Sequence, residues 1–174
     1  MTVTPPESYR AALRRHPAGG VAIVTLMSQA GPPVGFTATS LTSLSLNPPL
    51  VCFNITHTSS SIAALRQAAS VVVHIVGQHQ RELAQRFSRS AEHRFNDQRS
   101  WSLLESGEPV LADTPPTWLR ADVQQLIPAG DSTLVIAAVT RIHCDDRDGV
   151  TPAPPLVYHN GAFLATSPLP AVST

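Results

Sequence analysis

The stretch 35–61, GFTATSLTSLSLNPPLVCFNITHTSSS, restricts what this chain can fold into more than any other. Small hydroxyl residues crowd it, yet Leu44, Leu46, Leu50, Cys52 and Ile55 recur at strand spacing and supply core-facing positions. Thr37, Thr39, Ser40, Thr42, Ser43 and Ser45 cannot all be buried alone, because an unpartnered buried hydroxyl costs about 1–3 kcal/mol. Two arrangements satisfy them. One is a sheet surface in water, since Thr favours strands and Ser favours turns. The other is a polyhydroxylated ligand whose oxygens and ring nitrogens meet these groups and the neighbouring backbone amides. Pro48-Pro49 removes ladder donors, so a turn is expected there before a strand at 50–55.

The rest of the chain is read around that stretch. Apolar runs at 21–27, 71–76 and 133–143 read as strands, joined by others starting at Val34 and at 118–127, 156–159 and 162–166. Helices are expected at 8–16, at 60–69 with Thr58 or Ser59 as cap, and at 79–88. In the last, Leu83, Ala84 and Phe87 share a face. Residues 89–109 are turn-rich and anchored by Phe95 and Trp101, and a loop of that length in a compact domain serves function or a subunit contact. Residues 145–149 form a charged turn, and the tail from Pro168 is expected to be disordered. Many short strands with few helices predict a mainly β chain with flanking helices, a closed antiparallel barrel in one domain over 1–174 with an ordered core at about 8–167.

Several chemistries are excluded. No GxGxxG, GxxxxGK or GxSxG occurs, which disfavours Rossmann, P-loop and nucleophile-elbow origins. All twelve basic residues are Arg, so no lysine is available for Schiff-base chemistry. The formal net charge of zero argues against nucleic acid or an anionic membrane as partner. Charged residues make up 14%, against about a quarter in ordinary domains, which implies a surface partly covered by a second copy. Cys52 and Cys144 lack CxxC partners, His74 and His79 are separated by Gly77, and His143 and Cys144 would point apart in a strand. No metal site is expected. No apolar run reaches the length of a membrane span and no signal-peptide core is evident, so a cytoplasmic location is expected.

Taken in order, Gly35-Phe36-Thr37-Ala38-Thr39-Ser40, Ser43 to Val51 around Asn47-Pro48-Pro49, and Ser59-x-Ser61 resemble the flavin reductase-like family. Leu83-Ala84-x-Arg86-Phe87, Arg94-Phe95, Gly130-Asp131 and Tyr158 with Phe163 follow in family order, so the resemblance runs over about 16–163. It implies an antiparallel Greek-key split β-barrel that binds FMN or FAD, forms a homodimer with flavin at the subunit interface, and uses NADH or NADPH as reductant. The implied activity is NAD(P)H:flavin oxidoreduction, with reduced flavin passed to a partner monooxygenase. Two other readings stay open: a split-barrel flavoprotein acting on a dedicated organic substrate, and a flavin-binding carrier module with little turnover.

The resemblance also implies roles for particular residues. Thr37, Ala38, Thr39 and Ser40 meet the flavin ring, and Asn54 lines the ribityl chain and ring. Ser59 and Ser61, with Ser60 between them, grip the phosphate. His57 stands where the family often has Lys or Arg. A plain helix cap needs one of the four hydroxyls at 58–61, so the run exceeds that need. Arg94, beside Phe95, is a second phosphate ligand, and Arg86, Phe87, Asp131 and Tyr158 complete the flavin set. The family usually reads Gly-Asp-His where this chain has Gly130-Asp131-Ser132. Its His orients the nicotinamide; Ser132 and His159 form the catalytic set, but serine is shorter and cannot stack, so that role is lost or passes to His159 or Tyr158, and weaker nicotinamide binding is expected.

Overall fold

Strand β1 (Ala22–Met27) is buried on both sides, as its unbroken apolar run requires. Val24 and Leu26 enter one apolar cluster and Ile23 another. The computed structural model describes residues 19–29, 31–112, 117–144, 153–167 and 169. The expected helix at 8–16, the turn at 145–149 and most of the tail lie outside them. Around β1 run β2 (Pro33–Ala38), β3 (Thr42–Leu46), β4 (Pro49–Thr56), β5 (Ser70–Ile75), β8 (Thr117–Ala129) and β9 (Ser132–Cys144). They form one antiparallel sheet of seven strands in the order β2-β1-β5-β8-β9-β4-β3.

The closed barrel expected from the strand pattern is not formed: the ladder leaves two edges, β2 and β3, so the barrel is split. Side chains bridge the seam. Phe36 on β2 meets Phe53 on β4 with ring centroids 6.1 Å apart, inside the cluster that also holds Val73, Ala121 and Val135. The second cluster lies on the other side of β1. There Leu83 and Phe87 of helix α2 (Arg81–Ser88) pack with Val21, Val76 and Leu156. Its flank carries two short hairpins, β6 (Trp101–Leu103) with β7 (Pro109–Leu111), and β10 (Val157–His159) with β11 (Ala162–Leu164).

Three local expectations change. The helix expected at 60–69 is one α-turn, α1 (Ile62–Leu65), because i−3 bonds from Gln67 and Ala68 tighten its end before β5 begins. The helix expected at 79–88 opens as a 3-10 turn and becomes α2 (Arg81–Ser88). Of the residues expected to face the core, Leu50 and Cys52 lie on the outer face of β4, only partly covered, and Leu44 and Leu46 are 50% and 89% exposed. The latter two lie on an edge strand whose register shifts between Ser43 and Ser45, so the simple alternation fails there. The loop at 89–109 proves more ordered than a turn-rich composition implies, with two 3-10 turns and β6.

His74 ties these layers together. It is fully buried; its Nε2 accepts from the Leu111 backbone N–H at 3.2 Å, so Nδ1 carries the proton and donates to the Ile23 carbonyl at 3.1 Å. Burial pulls its pKa down from 6.5 to about 4, against a smaller opposing effect of the Ile23 bond. A depressed folded pKa means that the unfolded chain takes up the proton first. This contribution is therefore whole above pH 6.5 and is lost as pH falls towards 4. Denaturant unfolding should show a stability loss of roughly 3 kcal/mol from this group across that window. NMR titration should find its imidazole neutral at pH 5.5; a normal titration near 6.5 would contradict the assignment.

Candidate flavin site at the sheet seam

Gly35 sets the geometry of the seam. A Cβ there would stand 2.8 Å from both the Phe87 ring and the Val24 carbonyl oxygen, so only glycine lets α2 rest on β2. The Thr37 hydroxyl then donates to the Ala84 carbonyl at 2.8 Å and fixes the same contact. Beside this junction opens a cleft of about 720 Å³. Its walls are residues 36–40 from β2 and its end, 54–56 from β4, Thr58, Ser59 and Ser60 ahead of α1, and residues 87–91 with Arg94 after α2. Ser132 closes one side.

Arg94 is the electrostatic centre. One terminal nitrogen donates to the Gly35 carbonyl at 2.5 Å and to the Ser60 and Ser61 hydroxyls, each at 3.3 Å. The other donates to the Arg89 carbonyl at 2.5 Å. Its Nε is buried without a partner, and no carboxylate pairs with it among the described residues. Burial pushes its pKa below the ordinary arginine value. A buried cation without a counter-charge is costly, and an anion in the cleft would relieve that cost. The donor set fits a phosphorylated polyol: a fixed guanidinium, the hydroxyls of Ser59, Ser60 and Thr39, and the Asn54 amide on one surface.

The structure brings Thr37, Ala38, Thr39, Ser40, Asn54, Ser59, Ser60, Phe87, Arg94 and Ser132 to this cleft. Others fall elsewhere. Ser61 is buried behind the wall, where its hydroxyl donates to the Gly35 carbonyl at 3.3 Å and accepts from Arg94. It shapes the site through the arginine. His57 is turned to the Thr133 hydroxyl at 3.1 Å and does not line the cleft. Phe95 packs edge-on between Phe87 and Trp101, at 5.2 and 5.7 Å, and supports Arg94 from behind. Arg86 lies 5.8 Å from the Phe87 ring centroid, outside the cleft. Asp131 accepts from the Ser132 hydroxyl at 2.9 Å and through its carbonyl from His57. His159 lines neither this cleft nor its neighbour.

Tyr158 borders a second cleft of about 460 Å³, which shares Thr37, Thr39, Ser88 and Arg89 with the first. Ser88, Arg89 and Ser90 were not singled out from the sequence. The signal available was their position directly after an amphipathic helix whose buried face is Leu83, Ala84 and Phe87.

An open antiparallel barrel with a hydroxyl- and arginine-lined cleft at its seam defines a flavin-binding split-barrel class. Residues 13–167 match the model of the flavin reductase like domain, and this chain belongs to that family. It is 59% identical over 161 residues to the NADH:FMN oxidoreductases of Rhodococcus qingshengii and Rhodococcus erythropolis, covering 92% of this chain and 82% of each relative. It is 35% identical to the NADH:riboflavin 5'-phosphate oxidoreductase of Streptomyces pristinaespiralis, over 94% of this chain and 89% of that protein. Among solved structures, the flavin reductase domain protein of Arthrobacter sp. FB24 superposes with a TM-score of 0.85 at 34% identity. That match covers 95% of this chain and 98% of the other.

Proposed function

We propose that this protein is an NAD(P)H:flavin oxidoreductase that binds FMN in the seam cleft and supplies reduced flavin to a partner monooxygenase. The observation that carries the reading is Arg94, a buried cation without a carboxylate at the base of a cleft lined with hydroxyls. When bound, the flavin accepts a hydride from reduced nicotinamide. The protein's part is to position the two rings. Arg94 and the hydroxyls of Ser59 and Ser60 hold the phosphate. Asn54 and Thr39 meet the polyol, and the small residues Ala38 and Ser40 let backbone amides approach the ring. Ser132, tied to Asp131, stands at the nicotinamide side without the ring of a histidine.

A second copy completes the cleft in this reading. Leu50 and Cys52 of β4 pair with Ala138 and Ile136 of β9 on the outer sheet face, all only partly covered, with Ile127 at 39% exposure nearby. Asn54, paired with Leu134, continues that face to the cleft. An apolar sheet face joined to the flavin site favours a homodimer with flavin at the interface. The need for reduced nicotinamide, and two cysteines that are both unpaired, favour a cytoplasmic location.

The first test is NADH consumption with free FMN, which a carrier module or an enzyme of a dedicated organic substrate would not sustain. Arg94→Gln should weaken FMN tenfold to hundredfold, the scale of a charge-assisted hydrogen bond, and riboflavin, which lacks the phosphate, by a clearly smaller factor through the loosened walls. Equal losses for both flavins would place the phosphate elsewhere. Ser132→His should raise kcat/KM for NADH and leave the FMN dissociation constant unchanged; no gain would mean that the histidine's role is dispensable here. Sedimentation should give about twice the chain mass, and Leu50→Arg on the outer face should yield a monomer with weakened FMN binding. A monomer that holds flavin at full affinity would refute the shared site.

A further inference from the structure

The tip of the β8–β9 hairpin is fastened by a single residue of another element. Past Val123, the end of β8 has β9 as its only neighbouring strand among the described residues, and a lone pair of strands is marginal in water. The two arms meet through the loop Gly130-Asp131, which uses the positive φ of 62° at Gly130. On the other side, β4 supports the β9 arm as far as their last pair, Thr56 with Ser132. His57 takes over there. Its backbone N–H donates to the Asp131 carbonyl at 2.8 Å, and its ring Nε2 stands 3.1 Å from the Thr133 hydroxyl. One residue thus grips both neighbours of Ser132.

The ring bond is the demanding one. Thr133 is 4% exposed, and the His57 ring is the only partner of its hydroxyl among the described residues. A protonated Nε2 donates to that hydroxyl and a bare Nε2 accepts from it, so either tautomer keeps the bond. Without the ring, a buried hydroxyl is left unpaired, and the tip gains by moving it towards water. His57 is itself fixed in a tight turn, where the Ser59 N–H donates to the Thr56 carbonyl at 3.1 Å and the Thr56 and Thr58 hydroxyls lie 3.2 Å apart. Between the two grips, Ser132 lines the seam cleft, its hydroxyl donating to the Asp131 carboxylate at 2.9 Å. From this geometry we infer that His57 is a positioning residue for hydride transfer: through Asp131 and Thr133 it holds Ser132 at the nicotinamide side of the cleft, without lining the cleft itself. The inference rests on the flavin reductase reading for its consequence.

Hydrogen exchange over residues 130–134 of the flavin-free full chain reads the clamp without any turnover. His57→Ala should speed that exchange about tenfold. With FMN saturating, the same variant should lower kcat/KM for NADH by about tenfold and leave the FMN dissociation constant within about twofold of wild type. His57→Gln, whose amide can bond the Thr133 hydroxyl, should restore most of both. Thr133→Val keeps the shape and removes the hydroxyl, so it should reproduce the loss, and adding it to His57→Ala should cost little more. Unchanged exchange in His57→Ala overturns the inference. So does an FMN affinity that falls as far as kcat/KM for NADH, or a glutamine variant that behaves like alanine. Faster exchange in a chain that never oxidises NADH would instead sink the reductase reading and leave the clamp standing.

Discussion

The Arg94 guanidinium is the interaction on which the seam depends. It draws together a strand carbonyl at Gly35, the hydroxyls of Ser60 and Ser61 and the carbonyl of Arg89, groups spread across β2, the entry to α1 and the end of α2. Such a cation, taken out of water without a carboxylate, costs stability unless an anion compensates. The hydrogen bonds of Arg94 hold the walls of the site in place, and its uncompensated charge favours a phosphate. Phe87, Phe95 and Trp101 form the stack behind it, and the Trp101 indole donates to the Phe95 carbonyl at 3.3 Å. The residues after α2 therefore act as the back plate of the site.

The open sheet explains why the site lies there. A closed ladder would pair the β2 edge with β3 and fill the seam with backbone hydrogen bonds. Here the Phe36–Phe53 contact closes the core, and the strand ends beyond it stay available to a ligand. Ser40 shows the consequence on a small scale, since its hydroxyl accepts from the Asn54 backbone N–H at 2.8 Å and spans the gap as a ladder bond would. The same sheet presents a partly covered apolar face along β4 and β9. The proposed ligand site and the proposed assembly surface thus share strand β4, with Val51, Phe53 and Ile55 inward and Leu50, Cys52 and Asn54 outward.

A buried polar network elsewhere has a different purpose. Glu108 accepts from the Ser70 and Ser106 hydroxyls and pairs with Arg120 at 2.9 Å, and Arg120 also pairs with Asp122 at 2.7 Å. Each charge has its partner, so nothing in it calls for a ligand. The contrast with Arg94 is informative: the partly covered Arg120 is balanced by carboxylates, and the buried Arg94 is not.

By itself, the sequence determined the elements whose pattern is local. The run at 21–27 could only be a strand buried on both faces. The spacing of Leu83, Ala84 and Phe87 set the buried face of α2, and the ordered motifs from Gly35 to Tyr158 pointed to the family. The stretch 35–61 supplies much of the lining of the seam cleft, as does Arg94, which was singled out beside it. Tertiary structure decided which of these groups face the cleft. Ser61 turned inward to Arg94, and His57 turned to Thr133. Phe95 became a support, while Ser88, Arg89 and Ser90 became walls. Leu44 and Leu46, apolar and in register for a core, were left in the open on an edge strand. The physical reason is that periodicity reports which residues share a face within one element. What that face meets depends on contacts between distant segments, as between Gly35 and Arg94, 59 residues apart.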